Sequence, residues 1–253
     1  MEHSNTWIAE VVDRIFGPTL APVKNMVLSS VYSLFGNKYT PEDMVIPEHV
    51  TFALLIFFFS LIFFSIICKG LSVEKPGRVQ QILELVIQFL NSQLEDIIGH
   101  GGKRYLPMVG TIGIFILLMN LCGQIPGFAS PTSSMNVTVG CAIVVFLYYN
   151  YLGVRKQGLI TYLKHFSGPV LWMAPLMIPI EIISHLARPF SLSVRLFANI
   201  FGEHQVVAVF FGLIPFILPL PIMVLGLFGS FLQAFIFMVL TMIYISGAVA
   251  EEH

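Results

Sequence analysis

The uninterrupted apolar run from Val50 to Cys68 (VTFALLIFFFSLIFFSIIC) carries no charged residue and is bounded by Glu48 and His49 before it and Lys69 after it. A helix needs roughly 20 mostly apolar residues to cross a bilayer, so this run is the clearest single crossing in the chain. Composition agrees. Hydrophobic residues make up 56% and charged residues 11% of 253, well outside the norm for soluble globular proteins, and lipid is the expected solvent. A net charge of -1 with no Lys/Arg-rich run excludes a nucleic-acid-binding surface and a polybasic anchor. Cys68, Cys122 and Cys141 fall in apolar stretches without paired spacing, so they read as small hydrophobes, with no disulfide or metal site expected.

Further apolar segments follow at about 106–125, 137–152, 170–209 and 213–249, making five crossings of an all-α integral membrane protein. The third and second are joined by PGFASPTSSMN, whose Pro, Gly, Ser and Thr content suits an ordered turn. The last two segments exceed what a perpendicular crossing requires. About 37 residues make about 55 Å of helix against about 30 Å of hydrocarbon, so strong tilt or a break is expected. Between the first two crossings, at about 76–98, Val79, Ile82, Leu83, Val86, Leu90, Leu94 and Ile97 recur at helical spacing among polar residues, which predicts an interfacial amphipathic helix.

Residues 1–47 form an N-terminal extramembrane or interfacial segment, with 48–253 as the membrane domain. The start lacks the basic, apolar and small-residue zones of a signal peptide, so the mature protein is expected to keep it, and 7–16 has helical spacing suited to a membrane surface. Basic residues set the orientation. Lys69, Lys75, Arg78, Lys103 and Arg104 fall in one inter-crossing loop and Arg155, Lys156 and Lys164 in another, whereas the 126–136 turn has none. Both basic loops are expected to be cytoplasmic, with the N-terminus outside and the EEH tail inside.

The fourth segment, IEIISHLARPFSLSVRLFANIFGEHQ, inserts Glu181, Ser184, His185, Arg188, Ser191, Arg195, Asn199, Glu203 and His204 into apolar surroundings. Ionisable groups at membrane depth default to function. At about 100 degrees per residue, all of these except His204 fall within roughly 80 degrees of Arg195. His204 points about half a turn away unless a distortion near Gly202 swings it round, and Pro189 threatens the register upstream. Glu181 lies about 21 Å to one side of Arg195 and Glu203 about 12 Å to the other. Carboxylates, histidines and hydroxyls relay protons, but an arginine stays charged and cannot. Arg195 therefore acts as an electrostatic barrier between two polar paths, and it would draw a partner's carboxylate into its ionised form. In the last segment Ser230, Gln233 and Thr241 offer a facing polar seam, for which helix-to-helix hydrogen bonding is the plainer use. Asn120 and Gln124 are open to either reading.

SLSVRLFANIFGEH, followed by LQAFIFMVLTMIYISGAVAEEH, closely resembles the a subunit of F-type ATP synthases, and NLCGQIPG with PGFASPTSSMNVT resembles its central hairpin. The resemblance covers most of the chain from about residue 48. It implies a stator proton-channel subunit with two offset half-channels beside a rotating c-subunit ring, joined by the b-subunit peripheral stalk and the rest of the synthase, in a bacterial inner membrane. ATP formation would occur on other subunits, with no cofactor here. By motif position Arg195 corresponds to the arginine facing the ring carboxylate, Asn199 to its neighbour, Gln233 to the glutamine opposite, and Glu181 to the acid of the cytoplasmic path. Ser184, His185, Ser191, Ser230 and Thr241 are further candidates along the paths. Many bacterial relatives place a glutamate nine residues after the arginine and a histidine on the last helix. Here the ninth residue is His204, Glu203 precedes it, and Gly226 stands where the histidine is expected, so both roles fall to the Glu203–His204 pair. The rival is a self-contained ion-coupled secondary transporter, which should carry inverted repeats, and none is visible. HExxH and GxSxG are absent, which leaves no motif for an intramembrane enzyme.

Overall fold

A computed structural model describes residues 8–18, 21–22, 47–73, 75–99, 101–125, 128, 130–158, 162, 174–213 and 219–249. Helices α1 (8–18), α2 (Glu48–Lys69), α3 (Arg78–Ile98), α4 (Leu106–Gly123), α5 (Met135–Gln157), α6 (Ala174–Leu213) and α7 (Pro219–Val249) account for most of them, and there is no strand among the described residues. The 170–173 start of the fourth predicted segment, Lys164 and the EEH tail lie outside the described residues.

Four helices among the described residues are long and apolar enough to cross a membrane: α2, α4 with the preceding 3₁₀ turn, α5 and α7. The 40-residue α6 is absent from that set; charged and polar groups recur along it from Glu181 to Gln205. Of the two expected outcomes for this long segment, tilt or a break, the helix shows no break. Both Pro179 and Pro189 lie inside one continuous helix, which at 1.5 Å per residue is about 60 Å long, about twice the hydrocarbon thickness.

Side-chain pairings fix how α6 runs. Thr138 meets Ser193 at 3.2 Å and Asn150 meets His185 at 2.7 Å, so α5 and α6 are antiparallel neighbours. On its other side, a Cβ on Gly229 would lie 3.8 Å from Asn199, and Gly226 abuts the Glu203 carboxylate, so α6 and α7 are antiparallel too. At the far end, Lys156 Nζ donates to Val249 O at 2.9 Å and Gln157 Nε2 to Ala248 O at 3.2 Å. A cation on the last carbonyls of α7 complements its negative end. α5 stops there because Gly158 takes a φ of 81°, left-handed backbone that ends a helix at little cost.

The core lies among α3, α4, α5 and α7, with Leu94, Val109, Ile116, Met119, Phe237, Met242 and Ile245 buried. α6 contributes one stripe, Leu192, Leu196 and Ile200, at helical spacing. The amphipathic α3 buries only Leu90 and Leu94, is docked on α7 by Ser246 Oγ donating to Ile97 O at 2.9 Å, and leaves Ile82, Leu85 and Phe89 exposed. An apolar face of that kind suits a membrane surface.

Candidate functional site

α6 has two unlike sides. Leu192, Ser193, Leu196 and Ile200 are buried, Ser193 against Thr138 of α5, whereas Ser184, Ser191, Arg195 and Asn199 are exposed. Arg195 has no ion pair among the described residues. Arg188 differs: its guanidinium lies 3.9 Å from Glu181 Oε1 and 5.9 Å from the centre of the Tyr244 ring. One arginine of α6 is thus matched within the chain, and the other presents its charge outward.

Beyond Arg195, Glu203 and His204 line one cavity of about 670 Å³, together with Gln124, Phe128, Val207 and Phe211. α6 stays helical through Gly202, so His204 keeps the direction that helical spacing gives it, about half a turn from Arg195. The cavity lies on the buried side of the helix, between the directions of Glu203 and His204, which differ by about 100 degrees. Gln124 Nε2 donates to Glu203 Oε1 at 2.6 Å and reaches Ser230 Oγ at 3.5 Å. Beside it Thr132 Oγ1 donates to the buried Asn120 Oδ1 at 2.8 Å and meets Ser130 Oγ at 2.9 Å.

On the other side of Arg195 a second cluster forms between α5 and α6. Asn150 Oδ1 accepts from His185 Nε2 at 2.7 Å and from the Tyr162 hydroxyl at 2.8 Å, and the Tyr149 hydroxyl lies 3.5 Å from His185 Nε2. Because an amide oxygen only accepts, His185 donates from Nε2 in this arrangement. The ring also stacks edge-on against Phe146 and Tyr149, each at 5.4 Å between centroids. Asn150→Leu removes an acceptor shared by two donors, which should cost about 1–3 kcal/mol. Thermal denaturation of the detergent-solubilised protein checks this: the midpoint should fall by several degrees, and an unchanged midpoint would show that the cluster contributes nothing.

From Glu181 to Glu203 the helix advances about 33 Å along its axis, with Arg195 between them. The chain matches the family model described as ATP synthase A chain over residues 49–246. The chain belongs to the ATP synthase A chain family. Relatives agree. It is 50% identical over 213 residues to "ATP synthase subunit a" of Solibacter usitatus, covering 84% of this chain and 91% of that one. It is 49% identical over 178 residues to "ATP synthase subunit a 3" of Pelobacter propionicus, covering 70% and 77%. It is 46% identical over 193 residues to "ATP synthase subunit a" of Geobacter sulfurreducens, covering 76% and 84%.

In this ATP synthase A chain family member, the α6–α7 register puts Gln233 level with Arg195, because Asn199 faces Gly229 and each helix then runs four residues onward. Gln233 is 5% exposed and sits toward the core, whereas Arg195 is on the open flank. Thr241 is buried and donates its hydroxyl to Phe237 O at 2.8 Å. Ser230 joins the Glu203 cluster through Gln124, while Ser184 and Ser191 stay on the flank of Arg195. Asn150, Tyr149 and Tyr162 went unnoticed in the sequence. An Asn inside the otherwise apolar YYNYLG was the one available signal for them.

Proposed function

We propose that this chain is the stator proton-channel subunit of the membrane sector of an F-type ATP synthase, non-catalytic itself and bound to a c-subunit ring and a b-subunit peripheral stalk. It gives protons two offset half-channels, to and from the ring carboxylate, and so couples their flow to rotary ATP synthesis. The observation that carries the reading is Arg195, an exposed central cation with no ion pair among the described residues. A permanent cation facing lipid costs at least about 2.5 kcal/mol, so its flank requires a partner of opposite charge from another chain. A carboxylate that loses its proton on reaching this guanidinium meets that requirement.

In this scheme a proton enters from outside through the Glu203–His204 cavity and neutralises a ring carboxylate. After the ring turns, Arg195 draws the carboxylate back to its ionised form, and the released proton leaves by Glu181. Arg195 blocks direct passage between the two paths because it cannot give up a proton at working pH. Asn199 and Gln233 border the contact, and Ser184 and Ser191 extend its polar flank. His185 supports the inner end from behind through Asn150. The scheme requires five crossings with α6 as the fourth, both basic loops and the tail in the cytoplasm, and the N-terminus outside. Charge placement supports that orientation. Family membership speaks against a self-contained transporter.

Disulfide trapping tests the contact. In the assembled complex, a cysteine at Ser191 or Asn199 should cross-link to a cysteine beside the ring carboxylate. A cysteine at Leu192, which is 2% exposed, should not. Equal trapping from all three positions, or from none, would remove the proposed face.

A further inference from the structure

The Glu203 carboxylate occupies an awkward place. The cavity wall around it is largely apolar, from Val207, Phe211, Pro219, Leu220 and Met223, and Gly226 offers it no side chain at all. α4 ends at Gly123 close by, and the carbonyl end of a helix carries partial negative charge, which opposes a nearby anion. A carboxylate there needs a donor. Among the described residues Gln124 supplies it, at 2.6 Å.

We propose that Gln124 is the positioning residue of the outer proton path, holding the Glu203 carboxylate against Gly226 at the cavity wall. The inference rests on Glu203 serving that path. Gln124 is suited to the task by its own anchoring. Its backbone N–H closes the end of α4 on Leu121 O at 3.1 Å, so its Cα is fixed relative to the helix. Its carboxamide spans two neighbours, Glu203 Oε1 on α6 and Ser230 Oγ on α7, both facing Nε2. With Glu203 ionised, the reverse orientation of the amide would set its oxygen against a carboxylate oxygen, two acceptors with no proton between them, so the ionised form selects the orientation that presents Nε2. Ser230 is fully buried and lies one turn after Gly226, which ties the amide to the same face of α7 that receives the carboxylate. The result is a three-helix clamp. α4 provides the donor, α6 the proton-bearing group and α7 the notch, with the relay atom held at the cavity instead of free to swing over the Glu side chain's rotamers.

ATP-driven proton uptake by proteoliposomes containing the complete complex, normalised to chain co-purified with the ring, tests the clamp. Gln124→Met keeps nearly the same volume and loses the N–H donor, and uptake should fall about tenfold with assembly intact. Gln124→His returns an N–H at comparable reach and should restore most of the uptake. Wild-type uptake in Gln124→Met, while Glu203→Gln blocks it, overturns the clamp and leaves the role of Glu203 standing. Equal losses in Gln124→Met and Gln124→His also overturn it, since packing alone would then matter. Normal uptake in Glu203→Gln removes the outer path itself and the clamp with it. If Gln124→Met does not assemble, Gln124→Asn decides: its shorter carboxamide should assemble and lose uptake, and wild-type uptake in it rejects the clamp.

Discussion

Arg195→Ala in the assembled complex is expected to abolish ATP-driven proton pumping while leaving the chain folded and bound to its ring. Two unit charges about 4 Å apart near a protein surface attract by about 4 kcal/mol at an effective dielectric constant of about 20. Converted at about 1.4 kcal/mol per tenfold, that is about three orders of magnitude in the equilibrium that releases the ring carboxylate's proton. The fold should tolerate the loss because Arg195 lies on the exposed flank of α6 and buries nothing in the core, which α6 meets through Leu192, Leu196 and Ile200 instead. Arg195→Lys should retain part of the function, since the charge survives but the planar fork of donors does not. Arg188→Ala provides the contrast. Its guanidinium is already matched to Glu181 and the Tyr244 ring within the chain, and pumping should fall far less. Coupled pumping at the normal rate in purified, ring-bound Arg195→Ala would end the role assigned to this residue.

Much of the frame was legible because membrane helices announce themselves by local composition. α2 was visible as an apolar run, and the predicted amphipathic stretch at 76–98 corresponds to α3 at Arg78–Ile98. The length of α6 was also anticipated, but its continuity through Pro189 was not: a proline removes one backbone donor, and packing on both neighbours outweighs that loss over 40 residues. The central arginine stood out for the same reason as α2, as a contrast with its surroundings. What could not be read were pairings between distant segments. Gln124 and Glu203 are 79 residues apart and Asn150 and His185 are 35 apart, and no local period encodes either. His204 stands half a turn from Arg195, as helical spacing has it, and a wheel centred on Arg195 ranks residues only by their distance from that face. The cavity it lines opens on another side of the helix.

Gly226 leads to the second large effect. A Cβ built there would overlap the Glu203 carboxylate, and the overlapping atoms are the far end of a flexible side chain rather than backbone. The protein should therefore fold normally in Gly226→Ala, with alanine slightly favoured over glycine within a helix. The carboxylate yields instead. Displaced from the notch, it can no longer keep its 2.6 Å contact with Gln124, and a hydrogen bond to a charged group contributes about 1.5–3 kcal/mol. Proton uptake should drop about 10- to 100-fold, well beyond any loss of folded protein. Gly226→Val should drop further, as its branches fill the notch. Gly140→Ala is the matched control: nothing lies within 4 Å of the added carbon, and uptake should be unchanged. A stability loss in Gly226→Ala with uptake falling only in proportion to the folded protein would make the glycine a packing device. Normal uptake alongside a blocked Glu203→Gln would show that the carboxylate works without its notch.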